Sequence, residues 1–303
     1  MYQGYKQLSV YAEKRGLELK ESFPLKSMTP LRVGGVIDRL LTVSTEEDLL
    51  AVHEILRAES IPSVILGDAT NILLSERGFQ GVALRLKGAF TEMSFSGDTC
   101  TAGGGVGMEV LSRRARMEKL SGLEFASTLP GTVGGATAKN ATCFGISFSD
   151  IITRVRSIAP DGTIEERMTS EIRFGERESD LGGSVVIGVT MQLEASTEDN
   201  IQTTTEKYRY IRGILQPSSR SSGLIFKDPP GNKAYKMIER VGAANLVING
   251  AKWYKQFPNY IVSSGTATAD DVYRLIVETQ KLVYQHYNAE LNLNLLLLGE
   301  FGV

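Results

Sequence analysis

The chain has 303 residues, of which 42% are hydrophobic and 22% charged, with a formal net charge of -2. That length allows two domains or one large domain with an appendage, and the composition is that of a globular protein with a full core. The near-neutral balance contains no long Lys/Arg block and so argues against a nucleic-acid partner; Arg113-Arg114-Ala115-Arg116 reads as the solvated face of a helix. Two histidines, and two cysteines without CxxC spacing, point to no zinc site, no metal and no disulfide framework. Cys100 and Cys143 read as reduced thiols of a cytoplasmic protein. No apolar run reaches the roughly 18 residues of a membrane span, and the first six residues carry no apolar signal core.

Residues 1–20 read as a charged helix, and Val36 to Val43 as a strand. Ser44-Thr45-Glu46-Glu47-Asp48 signals a helix start with acids in its first turn. Leu49, Val52, His53 and Leu56 then recur at helical spacing, and His53 on that face is expected to pack rather than catalyse. Residues 62–66 form a short apolar strand, so 36–66 is a strand–helix–strand unit. Between about 72 and 105 short strands alternate with turns. Val82-Ala83-Leu84-Arg85-Leu86 alternates in the manner of a half-buried strand, and Gly103-Gly104-Gly105 interrupts the strand pattern. Residues 107–119 read as a helix. Residues 151–159, a Pro160-Asp161-Gly162 turn and residues 163–167 give strand–turn–strand, and 185–193 a further strand. Helices are predicted over 201–213 and 234–241. Thr268 caps a long helix carrying Val272, Leu275, Ile276, Leu282 and Val283, and residues 291–298 close the chain as a strand. The polar run at 196–200 divides an α+β domain, to about residue 200, from a smaller α+β domain after it.

The segment Leu129-Pro130-Gly131-Thr132-Val133-Gly134-Gly135, with Asn140 five residues on, carries the most chemistry. Glycine permits positive φ and has no Cβ, so backbone N–H groups there can face an anion or a ring edge. Arg32-Val33-Gly34-Gly35 and Gly67-Asp68-Ala69-Thr70-Asn71 are two companions in the first domain. None has the GxGxxG or P-loop spacing. With Thr70, Asn71 and Asn140 as side-chain donors, the three fit a long anionic ligand, such as a flavin dinucleotide held by loop amides.

The run from Pro24 to Gly35 resembles the N-terminal signature of the UDP-N-acetylenolpyruvoylglucosamine reductases. Residues 67–73, Gly122-Leu123-Glu124-Phe125, residues 129–140, Phe226-Lys227-Asp228-Pro229 and residues 265–272 are similar to that family in the same order, over roughly residues 22–299. The resemblance is to the shorter form of the family. It implies an α+β fold with an FAD-binding domain of the vanillyl-alcohol-oxidase (PCMH) type over residues 1–200. This domain has two subdomains, about 1–66 and 67–200, and a C-terminal α+β substrate domain covers 201–303. It implies that NADPH reduces FAD and that hydride then passes to an enolpyruvyl ether of a UDP-sugar, a step of peptidoglycan biosynthesis. It implies FAD contacts from Arg32, Gly34, Gly67, Asp68, Ala69, Thr70, Asn71, Pro130, Gly131, Thr132, Gly134, Gly135 and Asn140, and substrate contacts from Lys227 and Asn259.

Phe174-Gly175-Glu176-Arg177-Glu178-Ser179 is similar to the family's Phe-Gly-Tyr-Arg-x-Ser, with Glu176 in place of the tyrosine. The resemblance makes Arg177 the group that steadies the substrate carboxylate and the developing enolate. Two positions depart from the family. Leu224 stands where a serine gives the proton, in Gly223-Leu224-Ile225-Phe226-Lys227, and Asn294 where a glutamate polarises the substrate. Neither side chain is an acid near neutral pH. The stretch 216–223 runs about one residue short, which makes Ser221 or Ser222 a candidate for the missing role. Trp253 and Tyr254 replace small or polar family residues and read as packing groups. Three readings follow: the reductase, with a proton from Ser222 or water; a repurposed flavoenzyme acting on another substrate; and a flavin- or nucleotide-binding protein without turnover.

Overall fold

The computed structural model describes residues 4–217 and 221–302. The run 218–220, within the stretch where the family spacing is one residue short, lies outside the described residues. The chain forms two compact units: Met1–Lys20, Arg39–Asp68 and Gly81–Ile211 make the first, and Glu21–Asp38, Ala69–Gln80 and Arg212–Val303 the second. Two segments from the first 80 residues thus belong to the same unit as residues 212–303.

In the first unit, α1 (Gly4–Arg15) and α2 (Glu46–Ala58) share a core with Leu8, Leu41, Leu49, Val52 and Leu56 buried. The predicted start of α2 is observed: Thr45 Oγ1 accepts from Asp48 N at 3.2 Å. His53 is half-buried on α2, where burial and the neighbouring Arg57 hold its pKa below the ordinary imidazole value. Strand Ser63–Ile65 runs parallel to Val82–Leu84. Val82, Ala83 and Leu84 are all buried, so the expected half-buried alternation is not what forms. This strand lies inside its sheet and is covered on both faces, which removes the solvent side that alternation needs.

A five-stranded antiparallel sheet follows, in the order Ile164–Met168, Ile152–Ile158, Val185–Gln192, Thr99–Gly103, Met93–Ser96. The turn at 160–162 joins its first two strands, with Gly162 at φ 93°. Against it lie α3 (Met108–Met117) and the six-residue α4 (Val133–Ala138), around a core that includes Phe125, Phe148, Leu111 and Met191. α5 spans Glu198–Leu215, and the division between the units falls within it, after Ile211.

In the second unit, α6 (Ala234–Arg240) and α7 (Ala269–Tyr287) pack beside the antiparallel strands Val247–Ile248, Ala251–Trp253 and Ile261–Ser263. Thr268 and Asp271 close a capping box on α7. Val272, Leu275, Ile276 and Val283 are fully buried. Trp253 is a packing residue: its indole N–H donates to Thr279 Oγ1 at 3.1 Å, and its ring lies 5.8 Å from that of Phe226. Of the closing strand expected over 291–298, only Leu296–Leu298 pairs in a sheet, parallel to Ile72–Leu74. Residues 292–294 instead bond to the irregular segment 225–227, which offers no continuous ladder. Among the described residues no helix is long and apolar enough to cross a membrane.

The link between α1 and α2 is polar and buried. Asp48, 4% exposed, accepts from Arg15 Nε at 2.6 Å, Tyr11 Oη at 3.0 Å and Thr45 Oγ1 at 2.6 Å. Burial pushes its pKa up, but the hydrogen bonds from Thr45, Arg15 and Tyr11 outweigh it and hold the carboxyl below its ordinary range. A depressed carboxylate contributes stability that is fully present above the unfolded-state pKa and is lost as pH falls through the folded value. Asp48→Asn is expected to lower the unfolding free energy by about 2 kcal/mol at neutral pH. In urea titrations, the gap between wild type and variant should begin to narrow as the pH drops below about 4 and should close only below the depressed folded-state value.

Candidate cofactor cleft and active site

The first unit holds a cleft lined by Gly67, Gly104, Gly105, Gly134 and Gly135, together with Thr132, Ser184 and the apolar Ile65, Leu66, Leu86, Ala138 and Val186. Its floor is backbone laid directly on backbone. Gly104 N donates to Ile187 O at 3.0 Å, Gly134 N to Gly104 O at 2.8 Å, and Gly105 N to Phe90 O at 2.9 Å. A Cβ on Gly104 would collide with Val186 O, and one on Gly134 would meet Gly104 O at 3.0 Å. Glycine at these positions is therefore a requirement of close approach. Thr132 caps α4, its Oγ1 accepting from Gly135 N at 3.4 Å. The lining carries no acid and joins backbone to apolar side chains, which suits a flat ring with an anionic tail; these residues fit a flavin dinucleotide. Pro130, Gly131 and Asp68 lie in the same unit outside this lining, Gly131 at φ 113°. Sequence reasoning missed Gly104 and Gly105 as part of the cleft. The signal was the Gly103-Gly104-Gly105 run, read as a strand interruption.

The far end of α4 leads to Asn140, which is 5% exposed and adopts φ 41°. Its amide does not end in the cleft lining. Nδ2 donates to Gly175 O at 3.0 Å, and Oδ1 accepts from Ser149 N at 3.1 Å. Ser179 Oγ donates to Ala138 O at 2.9 Å. Gly175 and Ser179 belong to the paired strands Phe174–Gly175 and Glu178–Ser179, whose two-residue loop is Glu176-Arg177. Arg177 is half-buried at φ 58°. Left-handed non-glycine residues of this kind concentrate at functional sites. Arg32 and Ala69, both expected cofactor contacts, share the property at φ 57° and 53°.

In the second unit the segment 221–227 is held from both sides. Ser222 N donates to Ile261 O, and Ile261 N returns a bond to Ser222 Oγ, each at 2.9 Å. Asn259, 3% exposed, pairs with the backbone of Phe226: Oδ1 accepts from its N and Nδ2 donates to its O, each at 2.9 Å. On the opposite side Asn294 N donates to Ile225 O at 2.8 Å, and Lys227 N to Asn292 O at 2.9 Å. Leu224 and Asn294 touch directly, with Asn294 Nδ2 donating to Leu224 O at 3.0 Å. Asn71 Nδ2 donates in turn to Asn294 O at 2.8 Å. Leu224 and Lys227 are half-buried, Asn294 is 7% exposed.

Ser222 also lines a small cavity with Thr29, Thr70, Leu31 and Leu295. Arg32 is exposed and outside that lining. Its neighbour Gly34 is fixed by Glu76, whose Oε1 accepts from Gly34 N at 3.2 Å and from Ala269 N at 2.6 Å. Glu76 left no mark in the sequence reading, because an exposed acid after a short strand has no signature. Cys100 is buried, which pushes its thiol up to about 12 and leaves it inert.

The comparisons with known proteins agree with this geometry. Residues 37–167 match the family model described as an FAD binding domain, and residues 216–298 the one described as the C-terminal domain of UDP-N-acetylenolpyruvoylglucosamine reductase. With its glycine-floored cleft, the chain is an FAD-dependent oxidoreductase built on a PCMH-type domain followed by a smaller C-terminal one. It is 33% identical over 286 residues to the UDP-N-acetylenolpyruvoylglucosamine reductase of Clostridioides difficile (strain 630), covering 93% of this chain and 94% of the relative. It is 31% identical to that of Bacillus velezensis over 92% of this chain and 93% of the relative. The crystal structure of UDP-N-acetylenolpyruvylglucosamine reductase from Thermus caldophilus superposes with a TM-score of 0.79 at 30% identity, covering 93% of this chain and 99% of that one. The chain belongs to the UDP-N-acetylenolpyruvoylglucosamine reductase family.

The bond from Asn294 to Leu224 O needs a donor. Asn294→Asp replaces that donor with an oxygen facing an oxygen, at an expected cost of about 1–3 kcal/mol at neutral pH. The folded-state pKa of this aspartate is raised, so the destabilisation is absent below the unfolded carboxylate value and grows as pH rises through the folded one. Unfolding titrations across the acid-to-neutral range check both sign and size.

Proposed function

We propose that this chain reduces the enolpyruvyl group of UDP-N-acetylenolpyruvoylglucosamine in the cytoplasm with NADPH as reductant, residues 1–200 holding FAD and residues 201–303 the UDP-sugar. The observation that supports this above others is the glycine-floored cleft with the Arg177 hairpin tethered to the helix that borders it.

The reaction adds one hydride and one proton across a carbon–carbon double bond. FAD, when bound, carries hydride from the nicotinamide to the substrate carbon. In this reading Gly67, Asp68, Thr132, Gly134 and Gly135 hold the cofactor through backbone and hydroxyl groups, with Pro130 and Gly131 in the same unit; the family resemblance implies further contacts from Arg32, Gly34, Ala69, Thr70 and Asn71. The Arg177 guanidinium meets the substrate carboxylate as a fork and stabilises the charge that develops when hydride arrives. Lys227 contacts the substrate, and Asn259 acts through the Phe226-Lys227 backbone that it holds.

The proton must come from elsewhere than Leu224 or Asn294. Ser222 is the proposed source. Its oxygen accepts from Ile261 N, which polarises the hydroxyl and leaves its hydrogen to give. Leu224 contributes apolar surface in place of an acid, and Asn294 holds the Leu224 backbone.

Stopped-flow mixing of the reduced holoprotein with UDP-N-acetylenolpyruvoylglucosamine tests the reading, the expected result being reoxidation of the flavin with product formed. Arg177→Met should slow that step by about 10²–10³-fold with FAD retained, and Ser222→Ala by about 10²-fold. A flavin that stays reduced for minutes while remaining bound rejects this substrate and assigns another; a protein that takes up no FAD rejects the whole reading.

A further inference from the structure

We infer that Asn140 is a positioning residue for Arg177, and that the short helix bordering the cofactor cleft sets where the arginine stands. This rests on the reading of Arg177 given above and differs from the assignment of Asn140 to the cofactor.

The hairpin that carries Arg177 has only two paired positions, Phe174 with Ser179 and Gly175 with Glu178. A two-stranded pair of this length is not stable alone. Its order must be supplied from outside: the end of α4 supplies it to one strand, and Asn140, two residues past the helix, to the other. Asn140 Nδ2 holds the carbonyl of Gly175, two residues before the arginine. Ala138 O receives the hydroxyl of Ser179, two residues after it. The other end of the Asn140 amide is taken by Ser149 N, so the side chain is fixed at both poles and cannot swing. Its φ of 41° explains the residue type, because asparagine tolerates the left-handed region better than most side chains. A guanidinium that has to meet a planar carboxylate works only within roughly 0.5 Å of its proper place. A loop tied at each side meets that demand.

Asn140→Asp separates the two roles. Aspartate keeps the tolerance for positive φ and the acceptor for Ser149 N, but it cannot donate to Gly175 O. The measurement is trypsin cleavage after Arg177 in the holoprotein, read with the bound FAD content. Asn140→Asp is expected to raise cleavage at Arg177 roughly tenfold, the change that follows from one lost hydrogen bond, with FAD content unchanged. Ser179→Ala, which cuts the second tie, should do the same and supplies the reading if the aspartate variant does not fold. Where the wild type reoxidises with the enolpyruvyl sugar, Asn140→Asp should slow that step, and its effect should not add to that of Arg177→Met. Unchanged cleavage in the variants, or loss of FAD from Asn140→Asp, overturns the proposal. Absence of reoxidation in the wild type overturns the substrate reading instead and leaves the cleavage result to decide this one.

Discussion

The contact on which the first unit depends is the approach of the Gly104 backbone to the strand Val185–Gln192. Gly104 N reaches Ile187 O at 3.0 Å, and a methyl group there has nowhere to go. From that contact the rest of the site is carried outward. Gly104 O accepts from Gly134 N and so hooks the first turn of α4 to the sheet. α4 has six residues and spans about 9 Å at the usual rise. Its far end bears Ala138 and leads into Asn140, which tie down the hairpin of Arg177. The cleft floor and the arginine are therefore set by one rigid piece. Interiors are close-packed and transmit strain, so a disturbance at Gly104 displaces Arg177 as well as the cofactor wall.

The second unit uses a different device. Asn71, Asn259 and Asn294 each bond to main chain, and Asn259 imitates a peptide by giving and taking one bond at the same residue, Phe226. An amide has both a donor and an acceptor, whereas a carboxylate only accepts. The segment 221–227 has no sheet of its own to satisfy its backbone, and buried peptide groups must find partners. The side chains of Asn259 and Asn294, with the flanking backbone of residues 259–261 and 292–294, supply them. The register is consequently fixed: Gly223 and Leu224 cannot slide relative to Asn294, and Ser222 keeps its place opposite Ile261.

Local signals were legible where their cause is local. Thr45 and Thr268 cap α2 and α7 because a hydroxyl three residues before an acid can serve the first free N–H groups of a helix. Pro160-Asp161-Gly162 turns because Gly162 accepts φ 93°. The glycine run at 129–135 pointed to close approach, which the structure contains. What was not legible depends on partners distant in sequence. Ala83 is buried because its strand is flanked on both sides, and residues 292–294 leave the closing strand because 225–227 take their hydrogen bonds. The grouping of Glu21–Asp38 and Ala69–Gln80 with the C-terminal residues leaves no local trace. Neither does the direction of an asparagine amide: Asn140 was readable as a donor, but its partner Gly175 lies 35 residues away.

Leu224 and Asn294, where the family resemblance implies a serine and a glutamate, are physically consistent as a pair. A carboxylate at 294 sits at a buried site, 7% exposed, facing the carbonyl of Leu224. Such a charge is costly unless something compensates it. In an enzyme that uses the carboxylate, function justifies that cost, as strained and destabilised active sites often do. Once residue 224 is leucine, no hydroxyl remains there for an acid at 294 to act with, and the buried charge has only its cost. Asparagine removes the charge, is one methylene shorter than a glutamate and gives a bond to the Leu224 backbone carbonyl. Restoring the glutamate alone would return the charge without its partner. Restoring the serine alone would leave its hydroxyl beside an amide already committed to Leu224 O. The two positions therefore behave as one structural unit, joined by the bond from Asn294 Nδ2 to Leu224 O.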